Sequence, residues 1–244
     1  MKKTNIWVAI ILGIAFFLAA FVASYVFYAI KSPSKTISVV GLAEKEFESD
    51  LIVWGLNFSV KKMDIKEAYT EIKKQTDSVK EYLVSKGVKS DEIVFDALSN
   101  YEDTRYEWHG ERYRNVFDGY VLTQSVSVTS KRVDEIEKIA RESTELIDLG
   151  IHINSNSPQY YYTQLADLKI EMLAAASQDA KNRAEVIASN AGAKLSKLKT
   201  ANMGVFQITA PNSSDEDYTW GGAFNIYSKT KKANINMRLT YFIK

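Results

Sequence analysis

Twenty-five consecutive uncharged residues, IWVAIILGIAFFLAAFVASYVFYAI from Ile6 to Ile30, constrain this chain more than any other feature. A helix of that length rises about 37 Å at ~1.5 Å per residue, enough to cross a hydrocarbon core of about 30 Å with some tilt. The stretch predicts a membrane span. A cleaved signal peptide has an apolar region of about 7–15 residues that ends at a small-x-small site. Ala19, Ala20, Ala23 and Ser24 supply small residues, but the apolar run continues past them through Tyr25, Val26, Phe27, Tyr28 and Ile30. Length therefore favours an uncleaved anchor. Lys2 and Lys3 precede the span and Lys31 and Lys35 follow it, with no acid among residues 1–35. The free N-terminal amine and the short head tip the reading toward a signal-anchor, single-pass in the cell membrane, with the C-terminal part exported to the periplasm or cell surface. Trp7, Tyr25 and Tyr28 read either as interfacial aromatics or as apolar filler.

The remaining 209 residues carry 27 basic and 30 acidic side chains, and the whole chain has a formal charge of +1. Near-neutrality argues against electrostatic binding of nucleic acid, which needs a basic surface to displace counterions from phosphates. With 46% hydrophobic and 25% charged residues, the chain can bury a sizeable core. It has no cysteine. That excludes a disulfide framework, thiolate zinc sites, iron–sulfur clusters and a cysteine nucleophile, without reporting the redox compartment.

After a polar linker (KSPSK, residues 31–35), β-branched runs predict strands at Thr36–Val40 and Asp50–Lys61, which together suggest a hairpin. Asp64 stands as an N-cap with Glu67 three residues on, and apolar residues from Ile65 to Leu83 follow at helical spacing until Gly87. Strands are expected at Glu92–Phe95 and Tyr120–Ser130. A second round then brings a helix from Val133 to about Gly150, a strand at Ile151–Thr163 and a long helix from Leu165 to Ala191. The last strands are expected at Lys199–Thr209 and Lys232–Ile243. The strands are long, alternating and half polar, unlike the continuous apolar runs of a parallel sheet buried on both faces. The expected class is α+β, with helices on one face of a largely antiparallel sheet.

Two segments, ISVVGLAEKEFESD (Ile37–Asp50) and DAKNRAEVIASNAGAKLSKL (Asp179–Leu198), resemble the SIMPL-domain family, which includes periplasmic and outer-membrane-associated immunogenic proteins of bacteria. In the second segment, Asp179-Ala180, Arg183-Ala184, Ile187-Ala188, Gly192 and Lys194-Leu195 carry the likeness. In the first, Ala43 and Ser49-Asp50 stand where the family usually shows a second glycine and a Pro-Asp. The resemblance implies an extracytoplasmic α+β domain over residues 36–244 that can assemble into ring-like or channel-like oligomers. It implies no catalytic residues.

A search for chemistry leads the same way. His109 and His152 lie far apart with no motif-spaced ligand to complete a zinc site, and HExxH, GxSxG, Walker and GxGxxG signatures are absent. The carboxylate neighbours Glu135 and Glu137, and Asp215 and Asp217, read as solvated faces. Pro211–Gly222 is acidic and turn-rich but lacks the ligand spacing of a calcium loop. It reads as a mobile surface loop.

Two features stand above this background. Ala176, Ala180, Ala184 and Ala188 form an i, i+4 row that lets another backbone approach, either the helix's own sheet or a second subunit. Tyr101, Tyr106, Trp108, Tyr113, Phe117 and Tyr120 interleave with arginines and acids around His109-Gly110, as an ordinary exposed hairpin or as an interface rich in aromatics and Arg. Stacking on single-stranded nucleic acid is opposed by the acids and the exported position. The organisation expected is a head and anchor over 1–30, a linker over 31–35 and one extracytoplasmic domain over 36–244. The function expected is non-enzymatic, in a cell-envelope or stress-related role, through homo-oligomer formation or an unidentified protein partner, with the four alanines, Tyr106, Trp108 and Tyr113 as interface candidates. No cofactor, metal or nucleic acid is expected. The rival reading is a membrane-anchored enzyme whose site draws on scattered Asp, Glu, Ser and the two histidines.

Overall fold

The apolar run forms one continuous helix in a computed structural model that describes residues 2–31, 35–108, 110, 112–213 and 221–244. The elements in chain order are α1 (Lys2–Lys31), β1 (Thr36–Glu48), β2 (Leu51–Lys62), α2 (Ile65–Ser85), β3 (Ile93–Phe95), β4 (Ser99–Trp108), β5 (Tyr113–Ser130) and α3 (Val133–Glu142). They continue with β6 (Ile153–Ser155), β7 (Gln159–Tyr161), α4 (Leu165–Asn190), β8 (Leu195–Met203), β9 (Gln207–Thr209) and β10 (Thr230–Ile243). The chain divides into two compact units, Leu42–Ser177 with Met203–Asn236, and Met1–Gly41 with Gln178–Asn202 and Met237–Lys244.

The larger unit is built on β2, where Ile52, Trp54, Leu56 and Phe58 are buried at every second position. That period of two puts one apolar face on the sheet. β2 pairs antiparallel with β5 from Ile52↔Ser130 to Lys62↔Tyr120. β6 and β7 lie in succession on the other edge of β2, and β3 and β4 on the other edge of β5. Ala68, Ile72, Val79 and Leu83 of α2 and Ile136 and Ile139 of α3 join the apolar face in one core. Asp64 caps α2 as its sequence predicts, its carboxylate accepting from the Lys66 N–H at 2.7 Å and the Glu67 N–H at 3.1 Å. β9 pairs with β10 at Lys232↔Thr209 through Asn234↔Gln207. In the smaller unit, strands run in the order β1-β10-β8. Val39, Leu239 and Tyr241 of that sheet pack against Ala180 and Ala184 of α4.

The α+β class stands, with four departures from the expected layout. The strands form two sheets, of four and six strands, where one was expected. β1 pairs with β10 and not with β2, so the expected hairpin does not form. Its turn is replaced by a crossing: Ser49 donates from both N and Oγ to Lys229 O at 3.0 and 2.9 Å, and the Asp50 N–H donates to Tyr161 O at 3.0 Å. The Asp50 carboxylate accepts from the Thr163 N–H and hydroxyl, each at 2.7 Å. The expected strand over 151–163 is broken into β6 and β7 beside Pro158, which has no N–H for a ladder. The one over 199–209 breaks after β8 at Gly204, where a Cβ would lie 1.6 Å from Asn236 Oδ1.

Candidate functional site

β5 is 18 residues long, and only its second part, from Tyr120 onward, is matched by β2. The first part, Tyr113–Gly119, pairs with β4 alone, and together they form a two-stranded arm beyond the edge of β2. The register brings Trp108 opposite Tyr113, Tyr106 opposite Asn115 and Thr104 opposite Phe117. Cross-strand partners share a face, so the aromatics line one side of the arm. A bulge at Asp103/Thr104 sets Tyr120 opposite Glu102 on that same side. Gly119 makes the bulge feasible: its φ is +116°, and a Cβ there would meet Lys62 O at 2.8 Å. The rings of Trp108 and Tyr113 meet edge-on at 5.0 Å and 62°, and those of Phe117 and Tyr120 at 5.1 Å and 64°. Tyr120 packs on the core under α2 and α3. The aromatic side of the arm is therefore the helix-covered face of the sheet carried on past its helices. There Tyr106 is 75%, Tyr113 68% and Trp108 56% exposed.

The opposite side of the arm is ionic. Lys61 of β2 bridges Asp103, at 2.7 Å, and Asp118. Arg105 lies 3.5 Å from Asp118 and 3.8 Å from Glu107. Donating to the Asp103 and Asp118 carboxylates raises the Lys61 pKa, and accepting that bond from Lys61 holds Asp103 below the usual carboxylate range. One side of the arm thus satisfies its own charges, while the other exposes rings.

The structure places the remaining candidates apart from this arm. Ala176, Ala180, Ala184 and Ala188 are all buried, and Ala180 and Ala184 face strands of their own subunit. His152 is exposed just before β6, whereas His109, Asp215 and Asp217 lie outside the described residues. Glu135 pairs with Arg132 at 2.6 Å and Glu137 with Arg141 at 2.8 Å. Among the described residues no three His, Asp or Glu side chains converge as a metal site. A groove of about 510 Å³ between β1 and α4 is lined by Val39, Val40, Val186 and Ile187 with Ser38, Asn182 and Arg183. Sequence reasoning passed over Lys231, which is fully buried and donates to Asn225 O at 2.6 Å and Ser228 O at 2.7 Å. Its signal was the alternation of β10, where Lys231 is in phase with the buried Ala233 and Ile235.

The family model for SIMPL, described as a protein of unknown function (DUF541), matches residues 37–233. The chain belongs to the SIMPL family. No curated protein matches it. In this SIMPL protein, the two segments that carry the likeness are structural. Ile37–Asp50 is β1 with its crossing into the second sheet, and Asp179–Leu198 runs from the middle of α4 into β8. Ala180 and Ala184 are small because β1 and β10 lie against them, and Arg183 pairs with Asp179 along the helix at 2.8 Å.

Proposed function

We propose that this SIMPL protein is a single-pass membrane protein whose residues 36–244 lie outside the cytoplasm and act without catalysis, by self-association or by docking a protein partner in the cell envelope. The observation that carries the reading is α1, an apolar helix of which no residue from Ile10 to Phe27 is buried against the rest of the chain. Uncovered side chains such as Phe16, Phe17 and Leu18 need an apolar surrounding, and a bilayer supplies one along the whole helix. The exposed rings of the β4–β5 arm support a role in docking, and the paired carboxylates Glu135 and Glu137 fit solvated ion pairs better than acid/base chemistry. The test is protease added to intact spheroplasts, followed by mass measurement of the membrane-retained fragment. Digestion of the C-terminal part with α1 retained is expected. Complete protection would refute the orientation, and a mature N-terminus near residue 25 would refute the anchor.

A further inference from the structure

The rings on the arm are Tyr106, Trp108, Tyr113 and Phe117, with no aliphatic side chain among the exposed residues of that face. Trp and Tyr combine an apolar body with a polar tip, the combination enriched where a bilayer meets water. Other occupants fit less well. The rings meet edge-on at 62° and 64°, so they form no coplanar floor on which a sugar or base could stack. Residues 99–120 hold five acidic residues against three arginines, the wrong sign for a phosphate polymer. Strand addition by a second copy along β4 is opposed by the charged Arg105 and Glu107 on that strand.

A bilayer is also close at hand. Only residues 32–35 separate α1 from β1, a reach of at most about 14 Å at ~3.5 Å per residue. The six residues Asp103–Trp108 of β4 give the arm a length of about 20 Å. We propose that the arm docks through its aromatic face on the same bilayer that α1 spans, seating Trp108 and Tyr113 at the level of the lipid headgroups. The proposal rests on the membrane-anchored reading above. Because Lys61, Arg105, Asp103 and Asp118 satisfy one another on the opposite side, docking is apolar and interfacial and calls for no anionic lipid.

The four tryptophans allow the arm and the anchor to be read separately. Full-length protein is reconstituted in phosphatidylcholine nanodiscs whose lipids carry a shallow doxyl quencher. Trp7→Phe with Trp220→Phe leaves Trp108 as the reporter of the arm, and Trp108→Phe with Trp220→Phe leaves Trp7 as the reporter of the anchor. Trp54, fully buried in the core, is a common background. The expected result is quenching of Trp108 comparable to that of Trp7, unchanged by added phosphatidylglycerol or by high salt. Quenching of Trp7 without quenching of Trp108 overturns the docking proposal and leaves the anchor standing. Loss of quenching at both positions refutes the anchor and the docking with it. Trp108 emission that is shielded from the quencher and shifts to the blue only in discs holding several copies assigns the face to a second subunit, and overturns the proposal. Tyr106→Ser with Tyr113→Ser, in protein with an unchanged melting temperature, should abolish the Trp108 quenching; undiminished quenching there would overturn the assignment of the face.

Discussion

Lys231 carries a charge into a position with no exposure to solvent, and among the described residues its acceptors are two backbone carbonyls. Burial pushes its pKa down from 10.5 to about 8. The folded chain therefore gives up this proton at a lower pH than the unfolded chain, whose lysine titrates near about 10.4. Between those values the unfolded state binds more protons, so the contribution of this group to stability rises with pH across the window. Relative to Lys231→Met, the wild type should gain on the order of 2 kcal/mol as pH is raised from about 8 to about 10.4. Denaturant titrations of both proteins at several pH values read that difference, and a flat difference would show that the ammonium is not desolvated. The position was legible from the alternation of β10, but its residue type hid it. Lysine is almost never fully buried, so in a sequence it reads as solvated. What reverses that reading is the fold of residues 222–229, which turns two carbonyls inward, and no short-range pattern announces it.

At the scale of elements, the alanine row of α4 gives a sharp test of packing. Ala180 and Ala184 are fully buried against Val39, Leu239 and Tyr241. Ala184→Leu adds volume to a filled contact and should lower stability by about 1–3 kcal/mol, because dense cores force off-rotamer side chains and backbone shifts when overfilled. Circular dichroism melts beside light scattering check it: a lower melting temperature with an unchanged oligomeric state is expected, whereas dissociation at an unchanged melting temperature would place the row in a subunit contact. Helices were the most legible elements. Asp64 and Glu67 mark the start of α2, and Leu165 begins α4 where the apolar periodicity begins. Strand pairing was the least legible. β1 and β2 are neighbours in sequence and both alternate, which suggests a hairpin, yet the partner of β1 is β10, and local spacing carries no information about a pairing that distant. The arm falls between these cases. Its interleaved aromatics and charges could be read, whereas the bulge that keeps Phe117 and Tyr120 on one face could not.

For the whole molecule, the expected behaviour of residues 36–244 in size-exclusion chromatography with light scattering is a mass above that of the monomer. The surface available for it is exposed: the apolar side chains Val40, Val186 and Ile187 beside the groove. A monomer at all concentrations would refute self-association while leaving the docking of a partner open to test. The division into two units was not legible in the sequence, because β1, α4 and β10 each run through both ranges without an interruption in their patterns. One further consequence concerns timing. The first strand of the chain, Thr36–Glu48, is paired with the last, Thr230–Ile243, and Ile243 N donates to Lys35 O at 3.0 Å. Between them lie 181 residues, which at about 5–20 residues per second take roughly 10–40 s to synthesise. For most of that interval β1 waits with its bonding edge empty, so the sheet of the smaller unit closes only after Thr230–Ile243 has been synthesised, and a premature stop before Thr230 leaves β1 without the strand it pairs with.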